Sequence, residues 1–195
     1  MLQTSAERFN SRDDEIEKDR EIKSNYNLMS VNGTWKHSAD NDWNTPKPVW
    51  DKIAPLLDKT KTIWLPFFND GYAGLCLRDL GFNTIEKDED FWENMYKDVV
   101  VVDNPPYKIK GIPSIKNKIM ERLCENGIPF CLLFPTTTIH TKFVKDLQNK
   151  YGKFQLIIPS EKINFERYEG HHSTCLFYTC WICWGMNLPD DCIWV

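Results

Sequence analysis

Four consecutive valines, 99–102, run into Asp103-Asn104-Pro105-Pro106-Tyr107, and this stretch limits the possible folds of the chain more than any other. An unbroken β-branched run reads as a strand buried on both faces, as at the centre of a parallel sheet. The strand cannot continue past Asn104. Neither proline has an N–H for a ladder, and the first pushes Asn104 toward an extended conformation. The sequence therefore predicts a stiff loop at the carboxyl end of a central strand, which is where open α/β sheets bind ligands.

The loop residues suit one kind of chemistry. Asn104 offers a side-chain carbonyl acceptor, Pro105 a backbone carbonyl without a nearby competing N–H, and Tyr107 a flat face. A planar NH2 group attached to a ring or a carbonyl has a delocalised lone pair. Two hydrogen bonds from its N–H groups favour the pyramidal form, in which the nitrogen is nucleophilic. That is stabilisation of a developing geometry rather than base catalysis.

The remaining elements follow from periodicity and turn residues. Residues 1–28 alternate charges without an apolar stripe and read as a disordered or loosely helical tail, with 29–195 as one domain. A polar loop over 30–44 holds Trp35 and Trp43. Thr45 is expected as N-cap and Pro46 as the first residue of a helix carrying Val49, Trp50, Ile53, Leu56 and Leu57 on one face. The stretch over 62–74 reads as a strand and then a tight turn holding Gly71 and Gly74, followed by a helix through Leu80 that Gly81 ends. A short strand over 82–86 follows, and then an acidic run with Asp90-Phe91-Trp92. Beyond the loop, Ser114 is placed to cap a helix reaching Asn126-Gly127. Further elements are a strand over 129–135, a helix over 138–151 and strands over 154–159 and 162–165. Residues 174–186 and 191–195 are expected to form a closing antiparallel hairpin. The order predicts an α/β fold around a mainly parallel central sheet, compact in the region of its second and third strands.

Asn104-Pro105-Pro106-Tyr107 after a valine run resembles motif IV of the S-adenosylmethionine-dependent amino-methyltransferases. These include DNA adenine-N6 enzymes, RNA base methyltransferases and glutamine-N5 protein methyltransferases. The resemblance covers about residues 43–195 and implies a Rossmann-like class I methyltransferase fold. Thr45-Pro46 before a helix resembles motif X, at the methionine end of the cofactor. The Leu65-Pro66-Phe67 to Gly74 stretch resembles motif I, the loop under the cofactor, with Asp70 facing its ammonium and Gly71 and Gly74 allowing close approach. By the same resemblance Glu86 takes the ribose, and Asp90 with Phe91 takes the adenine. Leu65 departs from the pattern, which usually has an acidic residue there, and Asn69 stands where glycine is common.

The short interval between Glu86 and Asp90 has the look of trimmed Dam-like enzymes of phages and other viruses. Motif I preceding motif IV without a long insertion implies no separate target-recognition domain. The resemblance thus implies S-adenosylmethionine as cofactor and N6-methylation of adenine in DNA, with the base extruded toward Tyr107. An RNA adenine-N6 methyltransferase is the near alternative. A non-catalytic subunit or binding module, favoured by Leu65, is the alternative of another class.

Lys108, Lys110, Lys116 and Lys118 follow the loop and suit the phosphates of a nucleic acid running past it. The net charge of −4 argues against a wholly basic nucleic-acid coat without excluding such a patch. The absence of a recognition domain leaves room for a protein partner that supplies it.

No apolar run approaches the roughly 20 residues needed to span a bilayer. The polar amino-terminal residues do not read as a signal peptide. Seven cysteines, an odd number lying mostly in apolar segments, read as reduced thiols. The expectation is a cytoplasmic protein (nuclear or host-cytoplasmic if viral), neither secreted nor membrane-bound. Cys180 and Cys183 fall in a predicted strand and point to opposite faces, so they cannot share a metal. The adjacent His171 and His172 lack a supporting cluster, and no metal site is expected.

Overall fold

The computed structural model describes residues 43–109, 113–167 and 176–195. The expected tail, Trp35, Lys110, His171 and His172 lie outside the described residues. In chain order the elements are β1 (Trp43–Asn44), α1 (Lys47–Ile53), β2 (Thr62–Leu65), α2 (Tyr72–Asp79), β3 (Thr84–Glu86), β4 (Val99–Asp103) and α3 (Ile115–Glu125). They continue with β5 (Phe130–Pro135), α4 (Lys142–Tyr151), β6 (Phe154–Ile158), β7 (Glu166–Arg167), β8 (Thr179–Trp184) and β9 (Cys192–Trp194).

Seven strands form one sheet in the order β3-β2-β4-β5-β8-β6-β9, and β1 pairs with β7 in a separate two-stranded ribbon. The pairs β3/β2, β2/β4, β4/β5 and β6/β9 are parallel, and β8 is antiparallel to both β5 and β6. Six strands thus point one way and β8 alone is reversed. This is an α/β architecture with a mostly parallel mixed sheet.

The valine run behaves as its composition demands. Val99 and Val101 pack with Phe130, Leu132 and Phe134 against Ile119 and Leu123 of α3 and Val144 and Leu147 of α4. Val100 and Val102 pack with Cys131 and Leu133 against Trp50 and Ile53 of α1 and Leu77 of α2. Helices therefore cover both faces, and period-two alternation divides a uniformly apolar strand between two cores. Cys180 and Cys183 fall in these separate cores, as their spacing requires.

Several expectations are corrected. The closing hairpin does not form, because β6 lies between β8 and β9. The reason is burial. Cys180, Trp181, Ile182 and Cys183 are at most 1 % exposed, so β8 needs a neighbour along each edge and helices on each face. The short strand predicted over 162–165 is instead β7, at Glu166–Arg167. Pro46 rather than Thr45 holds the N-cap position of α1, and no side chain caps that helix. Thr45 turns inward, where its carbonyl accepts the indole N–H of buried Trp50 at 3.0 Å. Ser114 begins α3 in a left-handed conformation (φ 57°), and its side chain makes no cap bond. The segment after β5 makes a short 3-10 turn at Thr136–Thr138, and α4 starts at Lys142, capped by the Thr141 hydroxyl.

Between β3 and β4 there is neither strand nor helix, consistent with the expected compactness. Among the described residues no helix is long and apolar enough to cross a membrane, and no group of side chains is arranged to hold a metal ion.

Candidate active site

The carboxyl ends of β2, β3 and β4 face the same way because these strands are parallel neighbours. One cleft opens there. It is lined by Thr45, Phe67, Asp70, Gly71, Glu86, Asn104, Pro105, Pro106 and Tyr107, nine residues that the sequence places in a site.

The loop after β4 is pinned from below by Asp103. This carboxylate is buried at 3 % exposure and bridges two loops. One oxygen accepts the backbone N–H of Asn104 at 2.7 Å, and the other accepts the N–H of Phe67 at 3.1 Å. Burial pushes the Asp103 carboxyl up to about 8. The two N–H donors pull the other way, and the charge of Glu86 adds to the rise. A carboxyl that is partly neutral near pH 7 therefore ties the loop after β2 to the loop after β4. Sequence reading missed it, although a carboxylate ending an all-apolar central strand is itself a signal, since such a position is buried.

Asn104 Oδ1 is buried and accepts no hydrogen bond from the described residues. The same holds for Thr45 Oγ1, on a residue only 4 % exposed. Both residues line the cleft. A buried acceptor without a donor is costly, so such atoms mark places where a ligand or water completes the network. The Tyr107 ring stands 6.2 Å from Phe134 and 5.8 Å from Phe177, edge-on to the latter.

The acidic side of the cleft is arranged differently. Asp70 Oδ1 accepts the N–H of Tyr72 at 3.0 Å, which helps to start α2. Its Oδ2 accepts Asn44 Nδ2 at 2.6 Å, and Asn44 Oδ1 accepts Asn69 Nδ2 at 3.2 Å. Asn44 arrives on β1, which is held by β7, a pairing that local sequence patterns do not announce. Gly71 takes φ 83° at the N-cap of α2, a left-handed conformation that L side chains rarely adopt.

Glu86 Oε1 accepts the N–H of Gly74 at 3.2 Å, and Oε2 pairs with Arg78 at 3.0 Å. A Cβ on Gly74 would lie 1.9 Å from Glu86 Oε2. The close approach at Gly74 is therefore with Glu86, and Gly74 does not itself line the cleft. Pro46 is also outside the lining.

Asp90 and Phe91, expected at an adenine, are not brought to the cleft either. Phe91 is 1 % exposed, with its ring 5.2 Å from Phe67, 5.8 Å from Trp64 and 5.0 Å from Trp92. It is a core aromatic one ring behind the cleft wall. Asp90 is buried, and its Oδ1 accepts the N–H of Trp92 at 2.7 Å.

Of the lysines, Lys108 is exposed beside Tyr107, and Lys116 and Lys118 are partly buried on the first turn of α3. Lys116 donates to Thr138 Oγ1 at 3.3 Å, beyond the carboxyl end of β5. Burial lowers its ammonium's pKa first, and the neighbouring charge of Lys108 lowers it further.

Comparison with protein-family models, with curated proteins and with solved structures finds no match to this chain.

Proposed function

We propose that this protein is an S-adenosylmethionine-dependent methyltransferase acting on the exocyclic amine of adenine in DNA. The observation that carries the reading is Asn104 Oδ1, a buried acceptor without a donor among the described residues, in a proline-stiffened loop at the carboxyl end of a central strand. The mostly parallel sheet with one inserted reversed strand is compatible with a class I fold.

The cleft residues suit the donor. Asp70 and Glu86 offer carboxylates for an ammonium and for ribose hydroxyls, and Thr45 Oγ1, in the lining of the same cleft, is buried without a hydrogen-bond partner among the described residues. When bound, S-adenosylmethionine supplies an activated methyl group. The chain's own residues do the rest. Asn104 Oδ1 and the Pro105 carbonyl accept the two N–H groups of the target amine and favour its lone-pair-localised form. Tyr107 stacks on the base. The Asp103 bridge keeps the Asn104 and Phe67 loops in register, so only the buried Asn104 amide must turn toward the cleft when the amine arrives.

One observation favours a second reading, a binding module without turnover. Glu86 and Asp70 already hold internal donors, and Phe91 is covered by other rings. Calorimetry with S-adenosylmethionine separates the two, since a module without this cofactor releases no heat.

The decisive experiment supplies methyl-labelled cofactor with separate DNA, RNA and protein pools to the wild-type chain and to Asn104→Ala. Label is expected on adenine in DNA, and the variant's single-turnover rate is expected to fall by on the order of 10²–10³ with an unchanged melting curve. Equal rates in the two proteins would remove this loop from the chemistry.

A further inference from the structure

The reversal of β8 has a local effect at the cleft. Because β8 runs against β5, its amino end lies at the carboxyl end of β5, where Thr179 pairs with Pro135 and the Tyr178 carbonyl accepts the N–H of Thr136 at 2.9 Å. The three residues before β8 are Leu176, Phe177 and Tyr178, exposed by 93 %, 40 % and 66 %. They are contiguous with the cleft, since Phe177 meets Tyr107 edge-on. Beyond them Lys162 Nζ lies 5.5 Å from the centre of the Tyr178 ring. Lys108 follows Tyr107 in the chain and is exposed, and Lys116 reaches Thr138 past the carboxyl end of β5.

We propose that Tyr178 and Lys162 form a second nucleotide subsite, which holds an unpaired base next to the one in the cleft. This rests on the adenine reading above and narrows its substrate to unpaired strands. Exposed aromatic faces are costly in water unless they have a task, and three consecutive apolar residues beside a cleft form a patch rather than scattered exposure. Contacts lead from Lys162 to the Tyr178 ring and from the adjoining Phe177 ring to Tyr107, with Lys108 next in the chain. That order matches a single strand, whose bases stack on aromatic faces while lysines meet its phosphates. In a duplex the neighbouring base is stacked inside the helix and offers Tyr178 no face. The Tyr178 ring does not support the core, and its structural hydrogen bond is made by its backbone carbonyl, so side-chain truncation leaves the fold intact.

Two readouts keep this inference and its parent apart. The first is fluorescence anisotropy with labelled adenine mononucleotide, single-stranded trinucleotides of DNA and of RNA, and a short duplex. The trinucleotides should bind more tightly than the mononucleotide and the duplex. Tyr178→Ala should lose on the order of tenfold on the trinucleotides and nothing on the mononucleotide, while Tyr178→Phe should bind like wild type. Lys162→Ala should lower the salt slope of trinucleotide binding by about one. The second readout is methyl transfer to the same molecules. Binding with this pattern but without transfer upholds the subsite and sinks the enzymatic reading. Unchanged trinucleotide binding in Tyr178→Ala overturns the subsite, and so does a duplex bound as well as a single strand, whatever the transfer assay gives.

Discussion

The two sides of the cleft are built on opposite principles. On the β4 side, two prolines and the Asp103 bridge stiffen the loop, and the Asn104 acceptor has no donor among the described residues. On the β2 and β3 side the acceptors are charged, yet each holds donors of its own: Asn44 and Tyr72 on Asp70, Gly74 and Arg78 on Glu86. An acceptor left empty in a stiff frame gives up no internal hydrogen bond when a ligand arrives. A carboxylate oxygen that already holds one donor keeps a lone pair for a ligand, but its charge is partly compensated and a further donor gains less. The amine side thus offers an acceptor with nothing on it, whereas the acidic side offers what its internal donors leave.

Three substitutions test this contrast. The largest effect is expected from Gly74→Ala. The new methyl would lie on the Glu86 carboxylate, which must swing off α2 and give up the Gly74 N–H and Arg78. The lost contacts cost about 1 kcal/mol, partly offset by the better helix propensity of alanine, so the main loss is read in cofactor heat by calorimetry, with chemical denaturation as the control. A variant with wild-type cofactor heat would mean that the Glu86 carboxylate does not need its seat against α2, and the contrast would weaken.

Asp103→Asn acts at the seam between the two sides. The ordinary carboxyl value is 3.8 and the folded one about 8, so the folded chain holds this proton more tightly than the unfolded chain does. Its contribution to stability is complete below pH about 4 and is lost as the pH rises through about 8. The amide stays neutral throughout and should flatten that decline. It also turns an NH2 group toward one of two N–H donors, costing about 1–2 kcal/mol. Melting curves from pH 4.5 to 8.5 check both effects. Parallel pH profiles for the two proteins would mean that Asp103 is ionised across the range.

The smallest effect belongs to Arg78→Ala. The Arg78 side chain is about half exposed but that of Glu86 only 7 %, so the pair lies at the edge of solvent and its loss costs on the order of 1 kcal/mol. Melting should fall slightly. Glu86, released from its cation, should bind the cofactor a few-fold more tightly in a calorimetric titration. Weaker binding would show that Arg78 serves the ligand rather than competing with it.

Local chemistry made half of this arrangement readable in the sequence. The valine run, the two prolines and the period-two separation of Cys180 from Cys183 act within a few residues of themselves, and the structure follows them. What could not be read depends on distant partners. Residues 179–184 look the same as one arm of a hairpin or as an inserted central strand, and only the burial of both faces decides. Phe91 follows an acidic run that reads as solvated, but three neighbouring rings pull it inward. Thr45 has the residue type of a helix cap, but Trp50 takes its carbonyl and the helix starts one residue later. Asn44 reaches Asp70 through a strand of two residues, too short to leave a pattern.

The insertion of β8 also sets a schedule for biosynthesis. On the ribosome, β5 and β6 emerge well before the strand that joins them. At about 5–20 residues per second, β6 waits seconds for a partner, and the far edge of β5 stays bare for as long. That edge, Phe130–Pro135, is apolar, unbroken by charge and free to pair with any other extended chain. The nascent protein is therefore most prone to aggregate until Thr179–Trp184 can insert, and a chain cut short of β8 stays in that condition.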